Sequence, residues 1–170
     1  YLGTSLDLSE AGMLLKAKTL NEKNEMLETF TFVQLRVGGR IDREKLKPRF
    51  VAKSKDWRVE DSGATEADLA QAGWTVRSQP PGFRKVTEMT RTLNGAPGVG
   101  HIVFSDGLAA VSVFIETTVA RNATRQPGLS RQGAINVFAR QVDNHWVTVV
   151  GETPAESVKL IANAVEHRKP

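Results

Sequence analysis

His101-Ile102-Val103-Phe104-Ser105-Asp106-Gly107-Leu108-Ala109-Ala110-Val111-Ser112-Val113-Phe114-Ile115-Glu116 holds two apolar runs around one turn signal. His101 to Ser105 and Leu108 to Thr117 alternate with the period of two that gives a strand one inward and one outward face. Asp106-Gly107 between them accepts the positive φ values of a type I′ hairpin turn. A second pair of the same kind follows, with Ala134 to Gln141 and Trp146 to Val150 flanking Asp143-Asn144. Two hairpins at this spacing predict one antiparallel sheet. Upstream, Arg84 to Leu93 reads as a further strand, and Asn94-Gly95-Ala96-Pro97-Gly98 as the turn that ends it.

Downstream, the spacing predicts a helix over 154–167. Thr153 is the expected N-cap, Pro154 suits the first helical position, and Glu156 completes a capping box worth roughly 1 kcal/mol. Val158, Ile161, Ala162 and Val165 then form an apolar stripe at helical spacing. Such a helix covers one face of a sheet, so the fold class is α+β, mainly β.

The first part of the chain is simpler. Tyr1-Leu2-Gly3 runs into Ser5-Leu6-Asp7-Leu8 as if a strand were already under way, and the chain reads as a fragment. Met13 to Leu20 and Met26 to Val37 predict a hairpin across Asn21-Glu22-Lys23-Asn24, with Phe30 and Phe32 on one side and one end of the second strand buried. A lone hairpin is marginal in water, so the remainder of its sheet is expected upstream. Asp42 to Lys45 forms one helical turn before Pro48. From Arg49 to Ala72 periodicity disappears, which predicts a linker with a short helix around Thr65 to Gln71. The divisions are therefore 1–47, a linker over 48–72, and 73–170.

Composition narrows the function. The chain of 170 residues is 40% hydrophobic and 25% charged, ordinary for a globular domain. Without cysteine there is no disulfide, thiolate metal site or cysteine nucleophile. The three histidines have no metal-ligand spacing, so no metal or cofactor is expected. Bases and acids balance over residues 1–72, so the whole net charge of +4 lies in 73–170. That excess favours an anionic partner but is too small, and lacks the motifs, for nucleic acid.

Chemistry-bearing residues are few. His101, Ser105 and Asp106 do not form a triad, because the first two share a face and the turn needs the third. His145 reads as a strand-start residue rather than a ligand. The glycines of Gly95 to Gly100 lack the Lys and Ser/Thr of a phosphate loop. No catalytic set emerges. Two candidates for partner or anion binding remain. Pro80-Pro81-Gly82-Phe83 offers Phe83 at a stiff bend, either as an exposed anchor or as a core plug behind a rigid connector. Thr118 to Gln132 is a long basic loop carrying Arg121, Arg125 and Arg131, either an anion site or solvated surface.

These stretches together carry a resemblance. Gly73-Trp74-Thr75-Val76, Pro80-Pro81-Gly82-Phe83, the run from His101 to Glu116, Gly133 to Phe138, and His145 to Glu152 with Pro154-Ala155 resemble the C-terminal domain of the RseB/MucB family. Gly12 to Ala17 and Leu27 to Phe30 resemble the last hairpin of that family's LolA-like N-terminal half-barrel. The resemblance implies a non-enzymatic periplasmic regulator of the envelope stress response. It would bind the periplasmic region of an anti-sigma factor (RseA/MucA-like) and shield it from the site-1 protease. Lipopolysaccharide or lipoprotein signals would release it. A LolA-like lipid or lipoprotein carrier is the alternative, and a homo-oligomer is left open.

Overall fold

A computed structural model describes residues 3–10, 12–21, 23–47, 63–118 and 126–168. Its larger sheet grows from the hairpin between β7 (Ala96–Ser105) and β8 (Ala110–Thr117). Around it stand β4 (Thr65–Glu66), β6 (Arg84–Leu93), β9 (Gly128–Gln132), β10 (Ile135–Val142) and β11 (His145–Gly151). The order is β4-β6-β7-β8-β11-β10-β9, antiparallel at every pairing. Alternation sets one face. Ile102 lies opposite Val113 and Phe104 opposite Val111, and Val147 and Val149 continue the buried rows on β11.

Helix α1 (Ala155–Ala164) covers that face. Val158, Ile161 and Ala162 are fully buried against the sheet's valines and phenylalanines. Each large apolar side chain so removed from water contributes about 1.5–3 kcal/mol. Leu69 also packs on this face. It sits over Gly100, where an added Cβ would lie 3.2 Å from Leu69 Cδ1 and 3.4 Å from Ile115 Cβ. The helix ends where Arg140 donates from Nε to the Ala162 carbonyl (2.8 Å) and from Nη2 to the Val165 carbonyl (2.6 Å). The Ala162 carbonyl also accepts the Val165 N–H, and the half-buried guanidinium adds a charged donor that stabilises the helix end.

The chain then pairs β12 (Val165–His167) with β5 (Trp74–Val76), a two-stranded ribbon beside the helix. The smaller sheet is β1 (Gly3–Leu8), β2 (Leu14–Leu20) and β3 (Met26–Thr31), in that order, all antiparallel. Asp42 caps the expected helical turn, a 3₁₀ turn over Arg43–Leu46, by accepting from the Glu44 N–H.

Several expectations are corrected. Thr153 does not cap α1. Its side chain is buried beside Gly151, its carbonyl accepts from Asn136 Nδ2 (2.8 Å), and Pro154 takes the N-cap place without a side-chain bond. The helix stops at Ala164 because Val165–His167 is claimed by pairing with β5. Thr65 to Gln71 is no helix. Thr65 and Glu66 pair with Thr90 and Met89, and Asp68 Oδ1 then accepts from the Ala70 and Gln71 N–H groups in a turn. Residues 63–72, read as linker, therefore join the larger sheet and its core; residues 48–62 lie outside the described set. Asp106-Gly107 is not a two-residue turn but the start of a four-residue loop with only Gly107 at positive φ. The preceding turn is tighter than expected, being Asn94-Gly95 alone with φ of 50° and 80°. At the third turn, Asp143 takes φ 49° and Asn144 does not share it. The second strand of the first hairpin ends at Thr31, not Val37, and Phe30 is 55% exposed, so its expected burial does not occur.

Removing the methyl-rich plug between helix and sheet tests this account of the core. Ile161→Ala should cost about 2–5 kcal/mol, because the well-packed face cannot collapse around the hole. Urea unfolding of the variant and parent, with unchanged slope, checks it.

Candidate functional site

Four stretches of chain meet at one end of the larger sheet. The loop Asp106–Ala109 is held by Asp106 Oδ1, which accepts from the Ala109 N–H (2.8 Å) and the Leu108 N–H (2.9 Å). Ser105 Oγ donates to the Ala109 carbonyl (2.7 Å) and accepts from the Gly107 N–H (3.0 Å). So braced, the loop pushes Leu108 outward, 84% exposed. Beside it lie the start of β10 with Ile135, the end of β11 leading through Glu152 and Thr153 into α1, and the Pro80–Phe83 bend. They enclose a groove of about 480 Å³, with Thr19 of β2 at its rim.

The groove is mainly apolar, and its charged lining is acidic. Asp106 and Glu152 line it, and no Lys, Arg or His does among the described residues. The Asp106 carboxyl is held below the usual carboxylate range, chiefly by the Ala109 N–H, with the Leu108 N–H adding to it; partial burial opposes both. This carboxylate stays charged near neutrality. A groove so lined suits an apolar side chain from a neutral or basic segment rather than an anion.

The residues singled out from sequence are only partly brought together. Pro80 and Phe83 line the groove. Phe83 is no exposed anchor: at 9% accessibility it belongs to the core, which makes it the plug. The Phe83 N–H donates to the Pro80 carbonyl (3.1 Å) and tightens the bend, leaving Pro81 exposed. Arg121 and Arg125 lie outside the described residues. Arg131 is not in a loop but on edge strand β9, where its Nε donates to the Gly133 carbonyl (2.8 Å). Leu108 and Ile135 were missed. An exposed leucine just after an Asp-Gly turn was the one local signal for them.

His101 is 7% exposed, stacks on Phe114 with ring centroids 4.3 Å apart, and has neither ring nitrogen hydrogen-bonded. Burial, then the nearby Arg91 charge, lowers its pKa; burial, then His167, lowers that of His145. Among the described residues no cluster of His, Asp and Glu could hold a metal, and no helix is long and apolar enough to cross a membrane.

Fold and site thus define a mainly antiparallel α+β protein with an apolar groove at one end of its helix-backed sheet. The family model of the MucB/RseB C-terminal domain matches residues 68–166, and that of the MucB/RseB N-terminal domain matches residues 6–50. The chain belongs to the MucB/RseB family. It is 29% identical over 161 residues to the sigma factor AlgU regulatory protein MucB of Pseudomonas aeruginosa, covering 92% of this chain and 48% of that protein. It is 31% identical over 98 residues to the sigma-E factor regulatory protein RseB of Salmonella typhimurium, covering 56% and 30%. The chain spans no more than about half the length of the relatives it matches. A solved complex of Pseudomonas aeruginosa MucA and MucB superposes with a TM-score of 0.72 at 28% identity, over 99% of this chain and 56% of that one. A crystal structure of MucB alone gives 0.66 at 27%, over 98% and 53%.

Both histidine shifts have one sign. A folded pKa held below the unfolded value of about 6.5 means the unfolded chain binds more protons, so stability is full above that pH and is lost as pH falls. The melting temperature should therefore drop between about pH 7.5 and about pH 5.5. His101→Phe, which keeps a ring on Phe114 and cannot charge, should flatten that drop in a pH series of thermal melts.

Proposed function

We propose that this chain is part of a non-enzymatic periplasmic regulator that binds the periplasmic region of an anti-sigma factor of the MucA type. The observation that carries the reading is the likeness, over 99% of this chain, to MucB solved in complex with MucA. The groove supports it with chemistry. An apolar side chain from the partner enters between Leu108, Ile135 and Phe83, while Asp106 and Glu152 favour a basic or neutral neighbour. Occupying that partner segment shields it from site-1 proteolysis and thereby restrains the sigma factor. Release answers a lipopolysaccharide or lipoprotein signal, for which Arg121, Arg125 and Arg131 are the proposed contacts. Arginine suits phosphate because its planar fork donates two hydrogen bonds.

The groove is tested by calorimetric titration of the purified MucA periplasmic region into this chain. Leu108→Asp with Ile135→Asp should weaken binding at least about tenfold, or about 1.4 kcal/mol, at an unchanged melting temperature. Unchanged affinity would move the interface elsewhere. The anion reading is separate. Replacing Arg121, Arg125 and Arg131 together by Ser should weaken lipopolysaccharide binding and make its salt dependence shallower, because each exposed contact alone is worth only about 0–1 kcal/mol. Equal affinity and equal salt slope would reduce these arginines to solvated surface.

A further inference from the structure

The end of the sheet away from the groove holds a second cluster. Four side chains from three stretches of chain meet there. Trp74 opens β5, Asp143 begins the β10–β11 turn, His145 opens β11 and His167 closes β12. The Trp74 indole is buried, stacked on the His167 imidazole at 4.3 Å and met edge-on by His145 at 4.9 Å. The two imidazoles are 5.5 Å apart. His167 Nδ1 lies 2.8 Å from Asp143 Oδ2, while His145 Nδ1 is buried with no hydrogen-bond partner among the described residues.

We propose that His145, His167 and Asp143, gathered on Trp74, are a proton-operated latch that holds the β5–β12 ribbon closed against the β10–β11 turn and opens it on acidification. The charges decide the direction. One positive charge on the ring pair is welcome, because the Asp143 carboxylate stands at hydrogen-bond distance from His167 Nδ1. A second proton is not. It places a like charge one ring away, on an imidazole whose buried nitrogen has no acceptor. Swinging the ribbon outward separates the rings and gives both to water.

Among the described residues, the other charged groups nearby do not cancel this. Glu166 alternates to the opposite face of β12 and pairs there with Arg77, Nε to Oε2 at 2.6 Å. Arg140 is the nearest base from β10 and is committed to the Ala162 and Val165 carbonyls. Arg168 follows His167 and ties the ribbon by its backbone, donating N–H to the Gly73 carbonyl (2.9 Å). Opposite His145 on β8 stands Thr117, which is uncharged.

The ribbon is a thin element for such a latch to govern. It has three residue pairs, and Val165 and Trp74 are its main buried anchors. The latch turn also binds Thr118, whose N–H donates to the Asn144 carbonyl (3.0 Å) and whose Oγ1 donates to Asn144 Oδ1 (2.6 Å). Thr118 is the first residue of the segment that carries Arg121 and Arg125. Opening therefore also bears on Thr118, which these bonds tie to the turn.

Amide hydrogen exchange on the 170-residue chain, corrected for the intrinsic pH dependence, tests the latch between about pH 7.5 and about pH 5. Protection of residues 74–76 and 165–167 should fall at least about tenfold while that of β7 and β8 changes less. His145→Phe keeps an edge-on ring and takes no proton, so its ribbon should stay protected at the acid end. Asp143→Asn removes the counter-charge, so its ribbon should open at higher pH than the parent's. Three results overturn the latch: a ribbon equally protected at both pH values, loss in step with β7 and β8, or the same acid loss in His145→Phe. Should His145→Phe fail to fold, Asp143→Asn decides, and an unmoved opening pH sinks the proposal.

Discussion

Val158, Ile161 and Ala162 on α1 and the rows Val111, Val113, Val147 and Val149 on the sheet are complementary surfaces that exclude water from each other. Everything else is built on this contact. A sheet with one uncovered apolar face would lose the favourable transfer term of about 25 cal/mol per Å², and a ten-residue helix is too short to stand alone. Each therefore stabilises the other. Arg140 completes the arrangement from beneath, since a helix end pressed near a core needs partners for its last carbonyls.

The helix also sets the two ends of the molecule's larger unit. Its first residues rise from Pro154 at the apolar groove, and its last residues run into the ribbon at the histidine cluster. A helix of this length spans about 15 Å. The groove end is apolar and acidic; the far end carries the Trp74, His145 and His167 rings. One rigid element thus separates the apolar groove from the cluster of aromatic and imidazole rings.

Strands β6, β10 and β11, the place of the turn that begins at Asn94 and the buried stripe on α1 were legible in the residues alone. Each rests on a local rule: alternation along one strand, a positive φ tolerated by Asn and Gly, or a repeat of three and four along one helix. The groove was only half legible. Pro80 and Phe83 were marked by their stiff bend, but Leu108 and Ile135 become neighbours only when two separate turns converge.

What local chemistry could not settle was where competing partners won. Thr153 has the composition of an N-cap, yet burial beside Gly151 and the claim of Asn136 on its carbonyl outweigh one capping bond. Val165–His167 continues a helical pattern, yet pairs with Trp74–Val76 some ninety residues earlier in the chain. Thr65 and Glu66 look like linker and become a strand because β6 offers an open edge. Trp74, Asp143, His145 and His167 carry no shared motif at all. Composition and periodicity therefore established the element types and the face each would bury. Long-range pairing, summed over contacts far apart in sequence, chose the ends of those elements and the side chains that meet there.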